Sequence, residues 1–118
     1  MALSRYGTIL RPSAFTVNTE LSLGLGATTI VYMTSAVNLT FFGLAATGGN
    51  IDGMVCTLVN LSLGSIAHSF AYESGSASDV RNRFWLPALT TLTTSTGIGA
   101  MTVRYDGTVQ RWIAIGRA

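Results

Sequence analysis

Three short, nearly continuous apolar runs constrain this chain most: Thr29-Ile-Val-Tyr-Met33, Leu39-Thr-Phe-Phe-Gly-Leu44 and Met54-Val-Cys-Thr-Leu-Val59. Each is rich in β-branched or aromatic residues, and none continues into the 3.6-residue period of an amphipathic helix. Runs of this length read as strands covered on both faces. With these runs included, strands are expected at Thr28–Thr34, Val37–Leu44, Met54–Leu61, His68–Glu73, Arg83–Leu86, Ala100–Tyr105 and Val109–Ile115, with shorter ones at Gly7–Leu10 and Thr90–Thr93. Turn chemistry separates them: Gly48-Gly49-Asn50 and Asp52-Gly53 precede the Met54 strand, and a small polar loop runs from Glu73 to Asp79. Asp106-Gly107 predicts a hairpin, because both residue types tolerate positive φ. The fold expected is all-β, a single antiparallel β-sandwich or jelly-roll-like domain over residues 18–118. Residues 1–17, with Pro12 after Arg11, read as an extended N-terminal arm, either a disordered tail or a tether to a partner. Leu21-Ser-Leu-Gly24 recurs as Leu61-Ser-Leu-Gly64, an echo too short to establish a duplication.

The strands leave little charge on the chain. Of 118 residues, 48% are hydrophobic and only 10% charged, against ~25% in ordinary soluble domains. A monomer of this mass exposes roughly 6,000 Å², so its charges are sparse enough to imply that much of the surface is covered by other protein. All seven basic residues are arginine, which suits interfaces, although a GC-rich genome gives the same bias. They are scattered from Arg5 to Arg117 without a basic stripe, so no nucleic-acid partner is expected. Nor is a membrane partner, since no stretch approaches ~20 apolar residues and Met1–Leu10 lacks an apolar leader core. Cys56 is the one cysteine and lies in an apolar run, which predicts a buried, inert thiol and synthesis in a reducing cytoplasm.

The inventory for chemistry is thin: one His, one Cys and five acidic residues. His68 lies in a strand-like stretch and reads as a satisfied core residue; nothing marks a Cys56–His68 nucleophilic pair. One Cys and one His do not supply the three or four ligands of a zinc centre. Glu20, Asp52, Glu73, Asp79 and Asp106 are isolated from one another in sequence, and Gly24-Leu-Gly26 lacks the third glycine of a phosphate cradle. Trp85 and Trp112 are core residues or sugar-stacking platforms, with the core reading the commoner one. No enzyme activity, metal or cofactor is expected. Tyr105 and Trp112 flank the Asp106-Gly107 turn and are expected to stack across the hairpin. Arg83 is expected to pin the 73–82 loop through Glu73 or Asp79.

In order along the chain stand Asp52-Gly53, Leu58-Val59-Asn60, Glu73-Ser74, Asn82-Arg83-Phe84, Tyr105-Asp106-Gly107 and Arg111-Trp112. This succession, over about residues 50 to 115, resembles a β-domain of tailed-bacteriophage virion proteins of the capsid-decoration, head-fibre and tail-fibre-tip type. Ser95-Thr-Gly97-Ile-Gly99 departs from the usual glycine-rich turn. The resemblance implies a structural role with no catalytic residue to carry over: a capsid decoration (cement) protein, a homotrimer on the capsid surface of the virion, made in the host cytoplasm. Its partners would be its own copies and the major capsid protein. Such a protein grips the shell with an arm, which here gives the partner-binding role to Arg5, Tyr6, Ile9, Leu10 and Arg11. Arg83, Tyr105, Asp106, Gly107 and Trp112 would hold the hairpin and its neighbouring loop. The alternative within the same resemblance is a tail-fibre tip or tail adaptor contacting host glycan through Trp85 or Tyr72.

Overall fold

The computed structural model describes residues 8–24, 28–46, 48–62, 66–86, 92–93 and 99–117. Ten strands follow in chain order: β1 (Thr8–Leu10), β2 (Thr19–Gly24), β3 (Thr28–Met33), β4 (Leu39–Ala46), β5 (Val55–Asn60), β6 (His68–Phe70), β7 (Phe84–Trp85), β8 (Leu92–Thr93), β9 (Ala100–Asp106) and β10 (Arg111–Arg117). A single 3-10 turn, Val80–Asn82, is the one helical element among the described residues. The chain is all-β, as the strand-forming composition requires.

The strands make two sheets, one ordered β1-β3-β5-β9-β10-β7 and the other β2-β4-β6-β8. From β1 to β6 the chain alternates between them, so strands that pair are two apart in sequence and run parallel: β1 with β3, β3 with β5, β2 with β4, β4 with β6. Among the described strands, antiparallel ladders join β5–β9, β9–β10 and β6–β8, and β7 closes the larger sheet in parallel with β10. The expected antiparallel arrangement is therefore corrected to two mixed sheets. Consecutive strands joined by short turns suggest hairpins, but here most connections lead to the other sheet, and among the described strands only β9–β10 forms a hairpin.

One core serves both sheets. Leu21 and Leu23 of β2, Phe41 and Leu44 of β4 and Phe70 of β6 meet Val31, Met33, Cys56, Leu58, Met101, Val103 and Trp112 of the larger sheet. Phe41 stacks on Phe70 at 5.8 Å, and Phe70 meets Phe84 edge-on at 5.6 Å. The β3 run is covered more on one face than the other: Val31 and Met33 are fully buried, whereas Ile30 and Tyr32 are half-buried; in the β5 run the consecutive residues Leu58 and Val59 are both buried. Strand β2 was not expected from the sequence, although Leu21 and Leu23 alternate with polar neighbours as an inward face demands. Of the repeated Leu-Ser-Leu-Gly stretches, the first lies on β2 and the second begins just after β5.

The ends of β3, β5 and β6 are joined by a buried polar network. The Ser35 amide donates to Ser62 Oγ at 2.9 Å, and that hydroxyl lies 3.1 Å from His68 Nε2. Asn60 Oδ1 accepts from the Ser62 amide, while its Nδ2 donates to the Ile66 carbonyl, each at 2.9 Å. Phe41 covers the His68 ring edge-on at 5.3 Å. His68 is thus a core residue, and burial lowers its pKa from the ordinary value.

Candidate functional site

The β9–β10 hairpin brings together most of the residues singled out from sequence. Tyr105 faces Trp112 in register, their rings edge-to-face with centroids 5.2 Å apart. Trp112 is fully buried and its Nε1 donates to the Leu44 carbonyl at 3.0 Å, tying β10 to the other sheet. The turn itself differs from expectation. Asp106 ends β9, its Oδ1 accepts the amides of Thr108 (2.8 Å) and Val109 (3.1 Å), and the positive φ falls on Gln110, at 57°. Those two amides hold the Asp106 carboxyl below its ordinary pKa. Gly107 is needed for close approach: its amide donates to Asp52 Oδ1 at 2.8 Å, and a Cβ there would lie 2.8 Å from Asp52 Cβ.

Beside the hairpin, Glu73 adopts φ 48° where β7 meets the polar loop. Arg111 Nε donates to Glu73 Oε1 and its Nη2 to Oε2, a two-point pair on a largely buried guanidinium. Arg83 Nη1 reaches Glu73 Oε2 at 3.5 Å. The hydrogen bond from Arg111, opposed by burial and joined by the charges of Arg111 and Arg83, lowers the Glu73 pKa. The expected Arg83 pairing is thus present with Glu73 but absent with Asp79, whose carboxylate is held by Arg81 at 2.8 Å. Further contacts also hold the loop. Glu20 accepts from Ser78 N and Oγ, both at 2.7 Å. Asn50 Nδ2 donates to the Arg81 carbonyl at 3.1 Å and Asn82 Oδ1 at 3.0 Å. These long-range contacts, and Arg111–Glu73, carry no local sequence signal.

Gly43 on β4 makes an antiparallel bridge to Arg83, and a Cβ there would overlap the Asn82 carbonyl. A surface cleft of about 460 Å³ has Gly48, Gly49, Asn50, Asp79, Arg81 and Asn82 in its lining. Trp85 is partly exposed at its edge strand, 5.9 Å from the Arg111 guanidinium, while Tyr72 packs against the core.

Of the arm residues, Arg5 and Tyr6 lie outside the described residues. Ile9 and Leu10 belong to β1, which adds to the larger sheet beside β3: Leu10 packs on the core and Ile9 is half exposed. Arg11 sets its guanidinium over the Tyr32 ring, 4.3 Å from the centroid.

The one histidine and the one cysteine are both buried. Ser62 and His68 lie inside the core, and Ser62 Oγ already accepts from a backbone amide. Burial pushes the Cys56 thiol up to about 12, far from a reactive thiolate. Among the described residues no three His, Cys, Asp or Glu side chains gather as a metal site, and no helix is long and apolar enough to cross a membrane. Comparison with known proteins finds no matching family model, no curated relative and no solved structure with a significant match.

Proposed function

We propose that this chain is a non-enzymatic structural subunit of a phage virion, a capsid decoration protein that binds the outside of an icosahedral head as an oligomer. The observation that carries this reading is the charge-poor surface: seven basic and five acidic residues over 6453 Å². A surface this sparse in charge suits a protein whose faces are covered in an assembly. The two sheets are read as the layers of a β-sandwich, for which the 23 Å shortest dimension is the right thickness: sheets pack about 10 Å apart, with side chains on both outer faces. The parallel winding of β1–β6 distinguishes it from a jelly roll. Virion location, the major capsid protein as partner and a trimeric state come from the sequence resemblance alone.

In this reading the N-terminal arm grips the shell. Full-length chain and a form lacking residues 1–11 are compared for co-sedimentation with phage heads. The deletion includes β1, so loss of binding by a truncated form that keeps its fold and its oligomeric state supports the arm's role, and retained binding contradicts it. The polar cleft and exposed Trp85 favour a second reading, a tail-fibre tip or adaptor contacting host glycan. Glycan-array binding abolished by Trp85→Ala or Arg81→Ala would replace the first reading with the second.

A further inference from the structure

The larger sheet has an outer face on which, among the described residues, Ile9, Val55 and Trp85 are exposed and the Arg11 guanidinium lies over Tyr32. Strand register aligns Ile9, Ile30, Thr57 and Thr102 in one row across β1, β3, β5 and β9. A second row runs Val55, Arg104, Ile113 and Trp85 across β5, β9, β10 and β7. Their neighbours along the strands, Val31, Cys56, Val103 and Trp112, point inward and are fully buried. Among the described residues eight large apolar side chains are well exposed. Ile9, Val55 and Trp85 fall on this face, and Ile115 lies at the β10 irregularity beside it. The other sheet is more polar outside, with Thr40, Ser69 and Ser22 around Phe42. The asymmetry singles out one face.

We infer that this face packs against the same face of another copy of the chain, which extends the structural-subunit reading above by naming its self-association surface. Six strands spaced about 4.8 Å apart, with central strands about 20 Å long, give a footprint on the order of 500 Å² per copy. Two copies then bury about 1,000 Å², the lower bound for a specific interface. The charges on the face are of both signs: Arg104 lies 3.8 Å from Asp52. Both signs are therefore present, with the Arg11 guanidinium over Tyr32 as a further cation, and a second copy offers complementary charges to exchange. At its centre Thr57 and Thr102 share a hydrogen bond between their hydroxyls at 2.9 Å, so their burial strands neither group. Face-to-face stacking of such sheets is the ordinary way to cover them.

The test is the mass of the full chain by sedimentation equilibrium over about a hundredfold range of concentration. Wild type is expected as a dimer, because a face that packs on itself closes at two copies. Val55→Glu places a carboxylate opposite Arg104 in the register, which the isolated subunit accommodates as a cross-strand pair. In the interface it adds charge and raises the dissociation constant about 100-fold or more. Ser69→Glu, on the other sheet's outer face, leaves association unchanged. A monomeric wild type, or a folded Val55→Glu chain that associates as tightly as wild type, overturns the inference. Should Val55→Glu fail to fold, Thr57→Cys gives the answer by maleimide labelling, because native Cys56 is buried. Slower labelling at high protein concentration supports the face, and equal rates overturn it. Association without head binding contradicts the decoration reading and leaves this inference standing. Head binding by a monomer does the reverse.

Discussion

Replacing Trp112 by phenylalanine tests how the two sheets are held as one core. The indole of Trp112 is fully buried, and its N–H donates to the carbonyl of Leu44 on the opposite sheet. Phenylalanine keeps the edge-to-face partner Tyr105 and removes the donor together with part of the ring. The Leu44 carbonyl retains a second donor, Asn50 Nδ2 at 3.3 Å, so the polar penalty falls at the low end, about 1 kcal/mol. The lost ring atoms and the space they leave cost about 2 kcal/mol more. The sum, about 3 kcal/mol, is a large share of the roughly 6–18 kcal/mol expected for a domain of this size. At a urea slope of about 1.5 kcal/mol/M the unfolding midpoint falls by about 2 M, read by far-UV circular dichroism because the substitution removes a fluorophore. Trp85→Phe is the control: that ring is partly exposed on the outer face, and the loss expected is less than about 1 kcal/mol. Equal midpoints for the two variants would refute the cross-sheet role of Trp112.

Three further outcomes follow from the same geometry. His68 has its pKa lowered by burial from 6.5, so the unfolded chain takes up the proton first; the stability it supports is complete above about pH 6.5 and declines as pH falls below it. Urea midpoints at pH 7.5 and 5.5 should differ in that direction, and a His68→Asn chain should lose the difference. Gly107→Ala drives a methyl against Asp52 Cβ and is expected to destabilise by about 1–2 kcal/mol; Thr108→Ala in the same turn provides the comparison in a thermal melt. Cys56 should resist maleimide in the folded chain and react fully in guanidinium, since its thiol is buried and its pKa is pushed up to about 12. Rapid labelling under native conditions would contradict that placement.

The strand segments were legible because apolar runs and turn residues act locally. β9 and β10 fall within a residue or two of expectation, and the Tyr105–Trp112 pair is where the turn placed it. Pairing direction was not legible. A turn such as Ser35 to Asn38 leads to a hairpin or to the other sheet depending on core packing, and no local residue decides between them. β2 was obscured because its two inward leucines are followed by Gly24 and Gly26, a pattern that reads as turn. Asp106-Gly107 marks the hairpin in the sequence, but in the structure Gly107 serves contact with Asp52 and Gln110 carries the positive φ. Arg83 was singled out because it lies near Glu73 in the chain. Arg111, 38 residues from Glu73, makes the closer pair and was reachable only through the β10–β7 pairing.

The copy number of this chain per phage particle, quantified against the major capsid protein, tests the central claim most directly. A decoration protein is expected at hundreds of copies, in a simple ratio to the capsid subunit. Absence from purified particles contradicts a virion role, and a few copies or tens of copies contradicts head decoration in favour of the tail.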